Sequence, residues 1–293
     1  MKKVFKSIVI LLLCSPMIAM ARIDAPVVVP EDVYQDYLTF IEGRDPLTLT
    51  NFEHPASRRD VVEIVLLQQA IARSGLDFDV HFVMADSPQP VDMVVRGEAV
   101  ATGTAAWRNE LIDVWDDVFI TTALVDRGEF VAGFYTVPDN QRALSASTRD
   151  DVLALVGASS SAWTIDWMTL ENIPFEQPIV NAPDWPTMVN LVSTGQADFL
   201  LAPFQTGPGM ALNLDDGLSL VPIPNFRIGL AGTRNLAVSR THPNGPLFNA
   251  ALHRGLLMLK KDGIVRDAYV GSGFFHPDVE DWTLIEAENF IMF

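Results

Sequence analysis

An amphipathic segment between two strand-like stretches constrains the fold of this chain more than any other feature. Apolar residues recur at helical spacing over residues 58–74, and Gly75 follows where a helix commonly ends. Stretches of alternating polarity lie on either side, at residues 47–51 and 78–84. A strand, a helix and a second strand in this order predict a parallel pair joined by a right-handed crossover. The sequence therefore predicts an α/β fold.

A second set of elements with the same alternation begins after residue 140, so that two α/β units follow one another along the chain. Residues 22–44 are predicted as a lead-in with one helix. The remaining predicted strands lie at residues 99–102, 118–125, 129–137, 179–182, 199–202, 218–223 and 236–239, and the remaining helices at 91–97, 185–193, 246–261 and 264–270. A ligand of such a protein is expected between the units, at the carboxyl ends of the strands.

The stretch at residues 152–170 opens the second unit. A short helix from residue 148 leads to an apolar run at 152–156, which has the composition of a buried strand. The run ends at Gly157 and three serines, and a helix is predicted beyond them. Backbone N–H groups at such a helix start can bind an anion. Alternatively, one serine is an ordinary N-cap that binds no ligand.

Composition and charge exclude several functions. The 293 residues carry a formal net charge of -17, and no basic run could neutralise phosphates or an anionic membrane surface. The histidines lack metal-ligand spacing, no G-x-S-x-G motif is present, and Cys14 is the only cysteine. No metal or other cofactor is therefore expected. A pair of catalytic carboxylates leaves no sequence pattern and stays open.

The first residues have the composition of a secretory signal peptide. Lys2, Lys3 and Lys6 precede an apolar core at residues 8–13, and Ala19 and Ala21 form a small-x-small cleavage site. Cleavage after Ala21 would remove Cys14 and leave a mature chain without disulfides. No later stretch is apolar for long enough to span a bilayer. The sequence therefore predicts an exported, periplasmic protein without membrane insertion.

Three local patterns resemble those of a known family, in their order and spacing more than in identity. They are the segment Gly-Glu-Ala-Val-Ala-Thr-Gly-Thr-Ala-Ala-Trp-Arg at residues 97–108, a Gly-Gln-Ala-Asp turn inside residues 192–201, and a helix ending in Asp-Gly inside residues 251–264. Together they resemble periplasmic solute-binding proteins of the type II fold, near extracellular family 3, the amino-acid-type substrate-binding proteins of ABC transporters.

The resemblance implies an α/β fold of two lobes, with a central cleft and hinge strands between them. It implies a signal peptide at residues 1–21, a lead-in at 22–44, the first part of lobe 1 at 45–137, lobe 2 at 138–222, and a return crossover with the C-terminal part of lobe 1 at 223–293.

The resemblance also assigns roles in the cleft. Arg108 is the candidate clamp for a ligand carboxylate, although the segment between Thr104 and Arg108 contains Trp107 and an extra residue relative to the family pattern. A surface ion pair is the alternative role for Arg108. Pro203 and Phe204 stand where family members that bind amino acids often carry an aspartate, so the ammonium anchor is missing. The candidate ligand-binding residues are Glu53, Thr104, Trp107, Arg108, Ser159, Ser160, Ser161, Trp163, Gln205 and Thr206.

The expected function is capture of a small polar, carboxylate-bearing ligand between two lobes, and its delivery to an ABC permease or a membrane sensor. Two alternatives remain. The chain could be an exported lyase or dehydratase on the same fold, or a partner-binding protein with a degenerate cleft.

Overall fold

The computed structural model describes residues 22–214 and 217–286, so the predicted signal peptide lies outside the described residues. Within these ranges the strands are β1 (Ile23–Val29), β2 (Phe78–Met84), β3 (Ala101–Thr102), β4 (Ala106–Trp107), β5 (Val118–Ile120), β6 (Val131–Thr136), β7 (Gly157–Ser159), β8 (Val180–Asn181), β9 (Phe199–Pro203), β10 (Leu212–Asn213), β11 (Ser219–Gly229), β12 (Arg234–Asn235), β13 (Ala237–Ser239) and β14 (Thr283–Ile285). The helices are α1 (Glu31–Ile41), α2 (Arg59–Ser74), α3 (Val91–Val95), α4 (Arg108–Ile112), α5 (Gln141–Leu144), α6 (Arg149–Leu153), α7 (Thr164–Glu171), α8 (Trp185–Ser193), α9 (Gly245–Lys261) and α10 (Ile264–Gly271).

Lobe 1 is built on a sheet with the strand order β2-β1-β3-β13-β5. The central strand β1 pairs in parallel with both β2 and β3, and β13 pairs antiparallel with β3 and β5. Helix α2 packs against α9 on this lobe, where Gly255 allows a close approach. A Cβ at Gly255 would lie 1.9 Å from the Ala70 carbonyl oxygen, so no larger residue fits without separating the helices.

The first strand of the chain is β1, and it does not lie at residues 47–51 as predicted. The predicted strand contains part of a 3₁₀ turn, Pro46–Thr48, whose start is capped by Asp45 accepting from the Leu47 N–H at 2.9 Å. The region predicted as a lead-in instead supplies the strand that pairs with β2. The predicted parallel pairing of residues 47–51 with 78–84 is therefore wrong, and β2 pairs in parallel with β1 instead.

Lobe 2 is built on a sheet with the order β10-β11-β6-β9-β7-β8, to which β14 adds beside β11. The apolar run at residues 152–156 is not a strand as predicted. Thr148 and Asp151 form a capping box that begins α6, and this helix takes up the first half of the run. The strand β7 starts only at Gly157, where a Cβ would lie 2.6 Å from the Phe199 ring.

The chain crosses between the lobes three times, between β5 and β6, between β11 and β12, and between α10 and β14. The first two crossings are called the lobe connections below. They adjoin the antiparallel strands β6 and β11 of the lobe 2 sheet, and β11 is irregular between Pro222 and Arg227. Beyond the return crossing, β13, α9 and α10 pack on lobe 1, but β14 pairs with β11. The last described strand thus joins the sheet of lobe 2, although the sequence assigned its region to lobe 1. No helix in the described ranges is long and apolar enough to cross a membrane.

Candidate functional site

A cavity of about 370 Å³ lies between the two lobes and is called the main cavity below. Lobe 1 contributes Trp107 at the end of β4, and lobe 2 contributes side chains from α7, α8 and β9. The two lobe connections contribute Phe130 and Leu230, which flank β6 and β11. The full lining is Trp107, Phe130, Ala132, Trp163, Asp166, Trp185, Leu201, Ala202, Pro203, Gln205, Leu212 and Leu230. Its size and apolar lining are typical of a site for a small organic molecule.

A second space of about 290 Å³, called the side pocket, adjoins the main cavity. The two share Trp107, Trp163 and Asp166. The side pocket is more polar, because it adds Asn109 and Glu110 from α4. Its full lining is Trp107, Asn109, Glu110, Ala162, Trp163, Thr164, Ile165 and Asp166.

Two tryptophans of lobe 2 form one aromatic wall. The rings of Trp163 and Trp185 are stacked, with centroids 6.0 Å apart and an interplanar angle of 21°. Trp185 is the first residue of α8, a helix that Asp184 caps by accepting from the Thr187 N–H at 2.9 Å. Trp163 remains 38% exposed. A stacked and partly exposed pair of this kind offers an apolar face to a ligand.

Asp166 is the ionisable side chain that both spaces share. It lies in the first turn of α7, and its carboxylate has no side-chain partner in the described part of the chain. Burial raises its pKa to about 6. The cause is desolvation, which penalises the charged form of a carboxylate among apolar side chains. Asn109 also has an unpaired polar atom, since its Oδ1 is buried without a hydrogen-bond partner.

A buried ionic network holds the strand that carries Trp107. Glu63 on α2 is fully buried and accepts from Arg59 Nη1 at 2.9 Å and from the Ala105 N–H at 2.7 Å. The Tyr269 hydroxyl donates to Oε1 of the same carboxylate at 3.0 Å. Arg234 donates to the Ala105 carbonyl oxygen at 2.7 Å. The segment that leads into Trp107 is therefore held in place by hydrogen bonds between the Ala105 backbone and the buried side chains of Glu63 and Arg234.

The guanidinium of Arg234 lies 4.6 Å from the centroid of the Trp107 ring. Burial and, to a smaller extent, the nearby Arg59 lower the pKa of Arg234 to about 10. Arg234 lines neither the main cavity nor the side pocket, so this cation supports Trp107 from within lobe 1.

The predicted site residues divide into two groups. Trp107 and Trp163 line both spaces, and Gln205 lines the main cavity. Of the others, Thr104 is half-buried and Ser159 and Ser160 are buried, while the remaining four are exposed; none of the seven lines either space. The exposed four are Glu53, Arg108, Ser161 and Thr206.

The serine turn, residues 159–161, uses its hydrogen-bonding groups in contacts within the protein. The Ser161 N–H donates to Asn181 Oδ1 at 3.0 Å, and the Ala162 N–H donates to Ser160 Oγ at 3.3 Å. The Trp163 N–H donates to the Ser160 carbonyl oxygen at 2.9 Å. The turn therefore serves to position Trp163 at the cavity wall.

Sequence reasoning missed Asn109, Phe130, Asp166, Leu201 and Leu230 as lining residues. In the sequence, Asp166 is an ordinary acidic residue in the first turn of a predicted helix, a position where the helix dipole favours a negative charge. The only available signal was its place three residues after Trp163, on the same helix start. In the described ranges, no group of three or more His, Cys, Asp or Glu side chains could hold a metal ion.

No protein-family model matches the sequence, and no curated protein matches it. Solved structures of similar arrangement include substrate-binding domain 2 of GlnP from Lactococcus lactis in an open conformation. It is 13% identical, with a TM-score of 0.48, over 85% of this chain and 96% of that one. The periplasmic VFT2 domain of BvgS from Bordetella pertussis is 17% identical, with a TM-score of 0.47, over 84% of this chain and 92% of that one.

The GluR0 ligand-binding core from Nostoc punctiforme, solved in complex with L-glutamate, is 13% identical. Its TM-score is 0.41, over 87% of this chain and all of that one. The class of this protein follows from its own topology. Two α/β sheets, the crossings of the chain between them and a cavity between the lobes define a two-lobed fold of the type II periplasmic-binding kind.

Proposed function

We propose that this protein is an exported binding protein, which captures a small organic molecule between its lobes and closes on it. The observation that carries the proposal is the main cavity, whose lining comes from both lobes and from both lobe connections. A ligand in this position contacts Trp107 on one side and the stacked pair Trp163 and Trp185 on the other. Such a ligand binds the closed state better than the open one, and thereby shifts the population towards closure.

The closed form would be presented to an ABC permease or a membrane sensor. Export by the predicted signal peptide supports this role, because a periplasmic protein meets its membrane partner at the outer face of the inner membrane. An enzymatic role has less support, since Asp166 is the one carboxylate of the main cavity among the described residues and Glu110, the other carboxylate of the side pocket, is exposed. Glycoside hydrolysis, for example, needs two carboxyl groups facing one another across the scissile bond.

Calorimetric titration combined with small-angle X-ray scattering tests the proposal. A bound ligand should reduce the radius of gyration, and Trp163→Ala should weaken binding by about tenfold or more, because it removes half of the aromatic wall. Trp115→Ala is the matched control, since Trp115 is 60% exposed and lines neither space. Binding without compaction, or equal losses in the two variants, would contradict capture between the lobes.

The carboxylate clamp at Arg108 remains a prediction from the sequence, and it has a separate test. Arg108→Ala should weaken the binding of a carboxylate ligand by about 2 kcal/mol or more if the arginine pairs with it in the closed cleft. An unchanged affinity removes Arg108 from the site and leaves the proposed capture intact.

A further inference from the structure

We infer that the cleft selects an organic ammonium: a ligand with a cationic N–H head in the side pocket and an apolar body in the main cavity. This inference rests on the proposed function and names the ligand class for the same site. It follows from three independent properties of the lining: its charge, its unpaired polar atoms and its aromatic walls.

The charge of the lining is the first property. Neither the main cavity nor the side pocket is lined by a lysine, arginine or histidine from the described ranges, whereas Asp166 and Glu110 both contribute carboxylates. Arg234, a buried cation beside Trp107, lines neither space: it donates to the Ala105 carbonyl oxygen and lies against the indole face, and its Nε is buried without a partner. A ligand carboxylate would therefore enter a lining with acidic groups and no counter-charge, which is unfavourable.

The unpaired polar atoms are the second property. Asn109 Oδ1 is buried without a hydrogen-bond partner. The partly buried Asp166 carboxylate accepts from its own backbone N–H and has no side-chain partner in the described ranges. Glu110 is exposed, and its Oε2 accepts from the Trp107 N–H at 3.2 Å. All three are hydrogen-bond acceptors, and carboxylate oxygens accept more than one hydrogen bond. Since a buried acceptor without a donor is costly, the complementary head group is one that carries several N–H donors.

The aromatic walls are the third property. Trp163 lies at the junction of the two spaces, and its indole is stacked on Trp185 with its outer part exposed. A cation placed beside Asp166 therefore also lies close to an indole, and the face of tryptophan is the aromatic face that attracts cations best. Beyond it, Leu201, Leu212 and Leu230 offer only apolar surface. This surface suits an alkyl or aryl body and leaves no second charged anchor for an α-carboxylate.

Matched ligands separate the head group from the body. Calorimetry would compare 2-phenylethylamine, 2-phenylethanol and 3-phenylpropionate, and in parallel hexylamine, 1-hexanol and hexanoate, against the mature protein. Each amine should bind about tenfold to hundredfold more tightly than its alcohol, as expected for a charge-assisted hydrogen bond, and each carboxylate more weakly than its alcohol.

Asp166→Asn should remove the preference for the amine and leave the affinity for the alcohol unchanged. Glu171→Gln is the control, because Glu171 is an exposed carboxylate on the same helix that lines neither space. A carboxylate that binds more tightly than its amine, or a preference that survives Asp166→Asn, overturns the ammonium assignment and leaves capture in the cleft standing. Equal binding of amine and alcohol in the unmodified protein overturns it even if the variant does not fold. If no member of either series binds, the ammonium assignment fails, and capture between the lobes is then judged by the scattering experiment described above.

Discussion

Neutralising Glu63 should be among the most damaging single changes in the chain, although only one atom of the side chain is replaced. In Glu63→Gln the shape is kept, but Arg59 and Arg234 remain buried without the negative charge between them. The NH₂ group of the new glutamine would also face hydrogen-bond donors, because each oxygen of the Glu63 carboxylate already accepts hydrogen bonds. Oε1 accepts from Tyr269 at 3.0 Å, and Oε2 from the Ala105 N–H at 2.7 Å.

The expected magnitude follows from the burial of the pair. Breaking a buried and hydrogen-bonded ion pair by removing one partner costs about 3–5 kcal/mol. This is a large part of the total stability of a typical domain, about 5–15 kcal/mol. The hydrogen bond from the Ala105 N–H to Glu63 would also be lost, two residues before Trp107. We therefore expect weaker ligand binding in the variant even at temperatures where it remains folded.

Urea denaturation followed by far-ultraviolet circular dichroism measures the loss of unfolding free energy. Glu171→Gln, an exposed carboxylate, should change it by less than about 0.5 kcal/mol. Because Glu63 and Arg59 contact one another, combining Glu63→Gln with Arg59→Met should cost clearly less than the sum of the two single changes. A loss below about 1 kcal/mol for Glu63→Gln, or strict additivity in the cycle, would refute the role assigned to this network.

Further predictions concern the cavity and the contacts around it. The pKa of Asp166 is raised from 3.8 to about 6 by burial, so the folded state binds the extra proton and loses stability as pH rises from about 4 to 6. Asp166→Asn abolishes this contribution, so the stability of the variant relative to the parent should rise by about 2–3 kcal/mol over that window and stay constant above it. Gly255→Ala forces α2 and α9 apart at the Ala70 carbonyl and should cost about 1–3 kcal/mol in urea denaturation. Thr169→Val removes the hydroxyl that accepts from the buried Ala231 N–H at 3.0 Å, and should cost about 1–3 kcal/mol by the same measurement.

Thr169→Val and Gly255→Ala each have a control on the same helix. Thr164→Val alters an exposed threonine of α7, and Leu257→Ala alters a leucine of α9 that is 49% exposed. Both should stay within about 0.5 kcal/mol of the parent. In the pH experiment, Glu110 and the other acidic groups are common to parent and variant, so their titration cancels in the difference. A flat difference between pH 4 and 6 would show that Asp166 titrates as an ordinary carboxylate.

Long amphipathic helices were predictable because their periodicity is set locally. Helix α8 has the predicted bounds, and α2 and α9 begin within one residue of theirs. Strand β1 was missed because its run is buried on both faces and does not alternate, and because Pro26 is unusual in a central strand. The fold class therefore followed from the sequence, but the first strand of the sheet did not.

The site was predictable only where a residue type is unusual in itself. Trp107 and Trp163 drew attention as large aromatics next to turns, and both line the two spaces. Asp166 and Asn109 are ordinary residues of two short helices in different lobes. Their interest comes from what surrounds them after folding, since burial raises the pKa of Asp166 and leaves Asn109 Oδ1 without a hydrogen-bond partner. No local sequence pattern encodes this meeting of α4 with α7.

The return crossing explains how the two halves of the side pocket are held in register. Gly232 lies against both of them: a Cβ there would be 2.8 Å from Cε3 of Trp107 and 2.9 Å from Cδ1 of Ile165. The neighbouring Ala231 N–H donates to Thr169 of α7, and the Thr233 carbonyl oxygen accepts from the N–H of Arg108, the first residue of α4. The same three-residue segment therefore contacts the helix of Asp166 and the helix of Asn109. Because it is also a connection between the lobes, any rotation of one lobe against the other must change the distance between these two acceptors. Ligand recognition in the side pocket and the proposed closure of the cleft thus depend on one short stretch of backbone.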